Sequence, residues 1–344
     1  MINPKFSLII PVFNEEKVII DKLANCLELD YSKCNYEIFV VDDYSTDKTC
    51  KIVKKYIKHH PNIRLIKNRF SKGKVGCVKT ALNAVKYEYV SITDADVILK
   101  KDILRNSIKY ISKKNVGAIC GIQNLIGNRK NKAFSFENIY RKFYTKLRLL
   151  ESRLDSAPVF HGQFMIVKKS ILRKIKIFYD DTDIAIKIRK LGYKTLYIRE
   201  CIFYERALYS IKNLRKQKSR RSVGLILIFL DNANVLFNPK YGLYGILIYP
   251  FEFSLYILQP VFLFSILAAI FFKLIFISWL YSFIYAFLLL FSYIAIPFFR
   301  SYIFGNISLI VSLYTILSNF KKSKDLYLNC NWSSDVRYIE KSVD

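Results

Sequence analysis

The chain has 344 residues, enough for one large domain or two smaller ones, and a formal net charge of +28 at pH 7. Nearly all charged residues lie before Arg221 or after Lys321, and the stretch between them is overwhelmingly apolar. This division excludes a uniformly hydrophobic protein and predicts a charged domain followed by membrane segments.

The positive charge has two explanations. Basic surfaces bind nucleic acids, but the lysines here are scattered among Ile, Asn and Tyr. A basic domain beside anionic lipid headgroups explains the sign more simply, and it would also attract an anionic nucleotide. The seven cysteines show no Cys-x-x-Cys pair and no zinc-type spacing, so we expect reduced thiols in a cytoplasmic domain.

The first hundred residues predict alternating strands and helices. The predicted strands are 6–13, 36–41, 63–66 and 89–93, and the predicted helices are about 14–29, 47–59 and 73–85. This alternation indicates a parallel sheet with crossover helices, in which ligands bind at the carboxyl ends of the strands. The run 6–13 is too short for a secretory signal, so we expect membrane insertion to depend on the C-terminal segments.

Polar residues follow three of these strands. The first strand ends in 11–15, the second in Asp42 and Asp43, and the fourth in Asp94 and Asp96. At a strand end, Asp94 and Asp96 can converge on one Mg²⁺ or Mn²⁺, cations that prefer oxygen ligands. The same spacing also fits an acidic turn, but three polar strand ends at one sheet edge predict a site.

These motifs resemble family 2 glycosyltransferases of the nucleotide-diphospho-sugar-binding (GT-A) fold. They are Pro-Val-Phe-Asn-Glu-Glu at 11–16, Val-Asp-Asp-Tyr-Ser-Thr-Asp at 41–47 and Asp-Ala-Asp at 94–96. The resemblance implies a mostly parallel α/β sheet and an α-helical transmembrane domain after it. It also implies that the nucleotide donor is bound by Pro11, Phe13, Glu15, Asp42, Asp43, Gly73, Lys74 and Asp94. Asp96, with Asp94, would bind Mn²⁺ or Mg²⁺.

The segment 179–193 resembles the Thr-Glu-Asp-x-Asp-Leu motif region of membrane polysaccharide synthases. The resemblance makes Asp181 the general base that takes the proton of the acceptor hydroxyl in an inverting transfer. Asp180 stands where the family usually has Glu. The acidic residues also fit the start of a helix, where carboxylates are favourable against the helix dipole.

Residues 217–221 resemble the Gln-x-x-Arg-Trp motif of these synthases, except that Arg221 replaces Trp. A Trp would stack on an acceptor sugar, whereas Arg stacks or binds phosphate. The change favours a phosphate-bearing acceptor over a growing polymer, although a basic run before a membrane segment is the other explanation. The resemblance implies an acceptor site formed by His161, Gly162, Asp180, Gln217, Arg220 and Arg221.

The C-terminal region predicts a membrane domain. We expect a cytoplasmic GT-A domain at 1–222, an interfacial amphipathic helix at 223–241, transmembrane helices at 242–320 and a cytoplasmic tail at 321–344. Because both flanks are basic, the positive-inside rule favours two crossings with interfacial helices, or four, over three. We expect the tail, with Trp332, to return to the catalytic domain.

The sequence therefore predicts an integral protein of the cell membrane with a cytoplasmic, metal-dependent, inverting glycosyltransferase domain. It would transfer a sugar from a nucleotide-diphosphate donor, expected to be UDP-linked, to a membrane-associated lipid or saccharide, as in polysaccharide synthesis. The first alternative is a polyprenyl-phosphate glycosyltransferase similar to dolichyl-phosphate mannose synthase. The second is a non-enzymatic basic protein that binds membranes or nucleic acid. Carboxylates at three strand ends argue against nucleic acid, because they repel phosphate unless a metal intervenes.

Overall fold

The computed structural model describes residues 4–128, 131–177, 179–207, 210–318 and 320. The strands are β1 (Phe6–Val12), β2 (Tyr36–Asp42), β3 (Ile63–Lys67), β4 (Tyr89–Thr93), β5 (Val97–Leu99), β6 (Val116–Ile126), β7 (Phe164–Lys168) and β8 (Lys194–Arg206). The helices are α1 (Ile19–Leu27), α2 (Thr49–Ile57), α3 (Lys74–Leu82), α4 (Ile103–Ile111), α5 (Lys132–Leu154), α6 (Lys169–Leu172), α7 (Asp181–Lys190), α8 (Ile211–Asp231), α9 (Tyr249–Phe253), α10 (Gln259–Ile277), α11 (Trp279–Ala295) and α12 (Pro297–Ser318).

The eight strands form one sheet in the order β3-β2-β1-β4-β7-β6-β8-β5. The pairs β1–β2, β1–β4, β2–β3 and β6–β8 are parallel, whereas β7 runs antiparallel to β4 and β6, and β5 runs antiparallel to β8. Every residue of β1 and β2 is buried, because apolar clusters cover both faces of the sheet. The predicted mostly parallel α/β sheet is confirmed, and the four predicted strands lie where the sequence placed them, with small shifts at their ends.

The helix predicted at 223–241 has different bounds in the structure, where α8 spans Ile211–Asp231. The boundary after Ser222 falls inside α8, and the consecutive residues Ile226 to Phe229 are fully buried in a core shared with Tyr244 and Tyr249. Four consecutive apolar residues point in all directions around a helix, since each is turned by about 100° from the last. Such a stretch needs apolar partners on every side, which a membrane surface does not supply.

Two helical stretches of the described residues are long and apolar enough to cross a membrane, Tyr244–Ile277 and Phe298–Ser318, and a shorter apolar helix covers Trp279–Tyr293. The first begins with π-helical turns at Tyr244–Ile248 and Ser254–Leu258, which are interleaved with α9 and α10. Each π-turn leads directly into a helix that has Pro within its first two residues, Pro250 and Pro260, where a proline removes a helix hydrogen bond.

The apolar C-terminal helices differ in what they contact. Tyr244, Tyr249 and Tyr256 are buried against the catalytic domain, whereas α10 and α11 expose large apolar side chains, including Phe276 and Trp279 at 90% and 75%. The helix α12 packs on α5 and α8. An exposed apolar surface of this extent is typical of a membrane contact. The predicted return of the tail with Trp332 lies outside the described residues.

A buried charge cluster joins α5 to α9. The Arg148 guanidinium donates to both carboxylate oxygens of Glu151 at 3.1 Å, to Glu252, and to the Tyr256 hydroxyl at 2.7 Å. Burial raises the pKa of Glu151 to about 9 against the opposing charge of Arg148, and the Glu252 carboxylate adds to the rise. Arg148 is therefore the cation that both buried carboxyl groups of this cluster contact.

We expect Arg148→Met to lower the free energy of unfolding by about 3–5 kcal/mol, because it leaves the fully buried Glu252 carboxylate without its cation. The measurement is thermal or denaturant unfolding of the full chain in detergent. The matched control is Arg105→Met, which removes an exposed ion pair with Asp30 and is expected to cost less than about 1 kcal/mol. If the two variants lost the same free energy of unfolding, the cluster would not be a stabilising buried link between α5 and α9.

Candidate active site

A cavity of about 750 Å³ lies at the carboxyl ends of the parallel strands. The predicted site residues on its wall are Pro11, Phe13, Glu15, Gly73, Lys74, Asp94, Asp96, His161, Gly162, Asp180, Asp181, Arg220 and Arg221. The fold thus brings together residues that are up to 210 positions apart in the chain, Pro11 and Arg221 being the extremes. Parallel pairing is the reason, since it places all the strand ends at one edge.

Three predicted site residues, Asp42, Asp43 and Gln217, are buried away from the cavity wall. The Asp43 carboxylate accepts 2.6 Å hydrogen bonds from the Asn68 amide and from the backbone N–H of Gly73, and Asp42 accepts one from Ser45 N at 3.1 Å. A buried carboxylate needs such donors. Asp42 and Asp43 thus support the loops that line the cavity, and the direct nucleotide contacts predicted for them stay a prediction.

The loops after β1 and β2 hold each other in place. Asn14 and Tyr44 adopt left-handed backbone conformations, with φ of 56° and 64°. Asn adopts this conformation readily, but for Tyr it is unfavourable and persists only where neighbouring contacts fix it. The side-chain Oδ1 of Asn14 accepts from Thr46 N at 2.8 Å, and the Asn14 backbone N–H donates to Ser45 Oγ at 3.1 Å. These contacts fix the cavity wall next to Phe13 and Glu15.

The centre of the cavity is a cation between two carboxylates. Lys74 Nζ, at the start of α3, lies 2.8 Å from Asp94 Oδ1 and 3.4 Å from Asp181 Oδ2, and it also donates to the Gly162 carbonyl. Asp181 is the first residue of α7, and Asp180 caps that helix by accepting from Thr182 N at 2.9 Å. Lys74 therefore connects the end of β4 to the predicted base.

These charges affect how Asp181 titrates. Burial raises the pKa of Asp181 above its usual range, Lys74 opposes the rise, and the Asp94 carboxylate adds to it. Burial alone would lower the pKa of Lys74, but Asp181 and Asp94 raise it, so the lysine keeps its proton. Asp181 is thus a carboxylate made more basic than an exposed aspartate, as a proton acceptor requires.

We expect the transfer rate to fall on the acid side at a pH above the ordinary aspartate pKa of about 3.9. A base must be ionised to accept a proton, so activity is lost as the pH falls through the raised pKa of Asp181. The measurement is the pH dependence of kcat with donor and acceptor saturating. Since Lys74 holds this pKa down, Lys74→Met should move the acid limb to still higher pH. If the acid limb of the pH profile stayed at the same pH in Lys74→Met, the ion pair between Lys74 and Asp181 would not control this pKa.

The Asp94-Ala95-Asp96 turn is supported from below by Lys22. Its ammonium is buried and donates to Thr93 Oγ1 at 2.8 Å and to the Val97 carbonyl at 2.7 Å, on either side of the turn. Asp94 and Asp96 are partly exposed to the cavity. No group of three or more His, Cys, Asp or Glu suited to a metal occurs among the described residues. Two carboxylates fit a Mg²⁺ or Mn²⁺ whose other ligands come from a diphosphate and water.

A second group of charges, of which the sequence predicted only Arg221 as a site residue, lies in and behind the wall of the same cavity. Arg141 contacts Glu137 at 2.7 Å and Glu205 at 3.0 Å, Lys218 contacts Glu137 at 3.0 Å, and Arg221 lies 4.0 Å from Glu205. Burial, with the charge of Arg141 and its neighbours, lowers the pKa of His161 to about 3, so its imidazole is neutral. The i,i+4 spacing of Glu137 and Arg141 is the signal in the sequence.

Residues 7–176 match the sequence profile of the family described as Glycosyl transferase family 2. The chain contains a family 2 glycosyltransferase domain. This confirms the predicted family. Among solved structures, a mannosyltransferase from Pyrobaculum calidifontis in complex with GDP-Man and Mn²⁺ superposes with a TM-score of 0.77 at 27% identity. The superposition covers 91% of this chain and 87% of that one, so the GT-A fold and the arrangement of the C-terminal helices resemble those of a known glycosyltransferase.

The names of two curated relatives of this chain indicate different products. A β-monoglucosyldiacylglycerol synthase of a Nostoc species is 24% identical over 261 residues, which cover 70% of this chain and 53% of that protein. A poly-β-1,6-N-acetyl-D-glucosamine synthase of Staphylococcus epidermidis is 25% identical over 225 residues, covering 63% of this chain and 54% of that protein. The chain spans about half the length of these relatives.

Proposed function

We propose that the chain is a membrane-anchored, inverting glycosyltransferase that moves a sugar from a nucleotide-diphosphate sugar to a hydroxyl group of a membrane-associated acceptor. The observation that carries this proposal is the placement of Asp181 and Lys74 beside Asp94 and Asp96, in a cavity that also reaches the apolar C-terminal helices. Donor, base and membrane then meet in one space.

The proposed chemistry is a single displacement at the anomeric carbon. The acceptor oxygen forms the new bond on one face of the sugar while the bond to the diphosphate breaks on the other. The acceptor proton passes to Asp181, and the bonding electrons leave with the nucleotide diphosphate. Lys74 holds the carboxylate of Asp181 in place and adds positive charge near the leaving group.

We further propose that Asp94 and Asp96 hold a Mn²⁺ or Mg²⁺ ion. When bound, such an ion neutralises the charge that develops on the departing diphosphate. The oxygen-only ligand set, the exposure of both carboxylates to the cavity and the Mn²⁺ in the Pyrobaculum calidifontis complex support this. UDP-linked sugars were expected from the sequence, and the GDP-Man of that complex makes GDP-linked sugars the second class to test.

The test is nucleotide diphosphate release by the full chain in lipid nanodiscs, with a panel of UDP-, GDP- and dTDP-sugars and with Mn²⁺, Mg²⁺ or a chelator. We expect release with one donor class, dependent on the metal and stimulated by a membrane acceptor. Absence of release across the panel, with lipid and oligosaccharide acceptors supplied, would overturn the proposal. Nucleic-acid binding that is salt-sensitive and survives Asp96→Ala would favour the non-enzymatic alternative instead.

A further inference from the structure

The cavity continues well beyond Asp181, into the space between α5 and α12. Its far wall is aromatic and consists of Tyr140, Phe143 and Tyr144 on α5 and Phe298 and Tyr302 on α12, with Asn306 beside them. The two helices face each other at Gly305, where a Cβ would make an ordinary contact with the Tyr140 ring at 3.7 Å and a longer side chain would enter the space between them. One space therefore connects the proposed base to two helices of which one, α12, is apolar enough to cross a membrane.

This far end opens at the surface. Phe143 and Phe298 line the cavity, are 48% and 49% exposed, and touch edge to face with ring centroids 6.1 Å apart. The neighbouring helices α10 and α11 expose the apolar side chains that indicate a bilayer contact. The opening between α5 and α12 is thus flanked by the surface that faces lipid, and its aromatic wall suits an acyl or isoprenoid chain.

The middle of this space is polar and positively charged. Arg141, Lys218, Arg220 and Arg221 lie there, and Glu137 and Glu205 pair with three of them. The described side chains of this group thus comprise four cations and two carboxylates. Four buried side chains on the cavity wall have an atom with no hydrogen-bond partner among the described residues: Nη1 of Arg141, Oδ1 of Asn306, Oε1 of Gln163 and Oε2 of Glu137. Of these, Glu137 Oε2 has an ion-pair partner, since it lies 3.0 Å from the Lys218 ammonium.

Arg141 Nη1 is a hydrogen-bond donor and Asn306 Oδ1 is an acceptor, so the two atoms need different groups of a ligand. An unpaired guanidinium N–H requires an anionic oxygen, and a phosphate supplies several. An unpaired amide oxygen requires a donor such as a hydroxyl group. Leaving both buried and unpaired would be costly. A ligand headgroup that carries phosphate and hydroxyl would satisfy both.

We propose that the acceptor is a lipid whose headgroup carries phosphate as well as the reacting hydroxyl, and that it reaches Asp181 from the bilayer between α5 and α12. This rests on the proposed function and names the acceptor class for it. Arg141, with Arg221 beside it, recognises the phosphate, the aromatic wall holds the start of the lipid chain, and the hydroxyl group lies toward Asp181.

The first test is binding of three matched probes to the full chain in detergent micelles by native mass spectrometry. Dioleoylphosphatidylglycerol has phosphate, hydroxyl groups and chains; dioleoylglycerol lacks the phosphate; and glycerophosphoglycerol lacks the chains. We expect phosphatidylglycerol to bind at least tenfold more tightly than either of the others. If dioleoylglycerol bound equally well, the proposed recognition of phosphate would be wrong. If glycerophosphoglycerol bound equally well, the site would bind a free phosphate compound and the proposed entry of a lipid from the bilayer would be wrong.

The second test separates this route from unspecific attraction of anionic lipid to a basic protein. Gly305→Leu fills the space against Tyr140, whereas Ile307→Phe adds bulk on the same helix at a position that is 37% exposed. We expect Gly305→Leu to weaken phosphatidylglycerol binding at least tenfold and Ile307→Phe to leave it unchanged. Equal binding by the two folded variants would overturn the proposal.

Failure of this inference and failure of the proposed function are distinguishable through the donor. Metal-dependent nucleotide release that a neutral lipid or a soluble oligosaccharide stimulates as strongly as a phosphate-bearing lipid would leave the enzyme class standing and overturn the acceptor class. Absence of release with every acceptor would overturn the proposed function itself.

Discussion

Replacement of Asp181 by Asn is expected to lower the rate of sugar transfer by about 10²–10⁴-fold, the range that a positioned general base contributes. The amide keeps the shape of the side chain but cannot accept the acceptor proton. The donor should still bind, because the Asp94 and Asp96 pair is untouched. The measurement is kcat together with donor affinity, in nanodiscs with the donor identified by nucleotide release.

The same helix offers a matched control. Asp183 is fully buried, and its carboxylate accepts from Lys187 at 2.8 Å and from Tyr179 N at 3.3 Å, on the side away from Lys74. We expect Asp183→Asn to lower the unfolding temperature and to retain the transfer rate of the folded fraction. If both folded variants lost activity to the same degree, disturbance of α7 would explain the loss, and Asp181 would not be the base.

Replacement of Gly162 by Ala is expected to lower the transfer rate about 10²-fold while the protein stays folded. A Cβ at this position would lie 1.9 Å from Asp181 Oδ2 and 2.8 Å from Lys74 Nζ, well inside the roughly 3.5 Å at which carbon contacts become favourable. The carboxylate must therefore rotate away from its place. A displacement of about 1 Å in a reacting group has an effect of this size.

The control for this prediction is the double variant Gly162→Ala with Asp181→Asn. If the alanine acts by moving the base, it has nothing further to remove once the base is gone, so the double variant should be no slower than Asp181→Asn alone. Multiplied losses would show that Gly162 acts on a different group. Unfolding temperatures of the three variants, measured in the same detergent, check that the fold is retained.

The sequence located the site through motifs that are local in the chain. Phe13, Glu15 and Asp94 each follow an apolar strand, and parallel pairing of such strands brings their ends to one edge. Asp181 was found through a resemblance over a single helix start. In each case the neighbours along the chain carry the information, so no knowledge of distant contacts was required.

Long-range contacts explain why some predicted site residues do not line the cavity. Asp43 is buried because Asn68 and Gly73, some 25 and 30 residues away, supply donors to its two oxygens. The residues next to Asp43 in the sequence do not specify whether its side chain faces a ligand or a loop. Likewise the sequence predicts a membrane-surface helix around Ile226 to Phe229. Only the structure shows that these residues pack in one core with Tyr244 and Tyr249.

The sequence by itself determined the alternating α/β order, the family, the strand-end carboxylates and the apolar C-terminal region, because each is a property of consecutive residues. Only the tertiary structure decided that Lys74 pairs with Asp181, that Glu252 meets Arg148, and that the active-site cavity extends to α12. Those facts join residues 100 or more positions apart, and the free energy of burying paired charges is set by packing that no local pattern specifies.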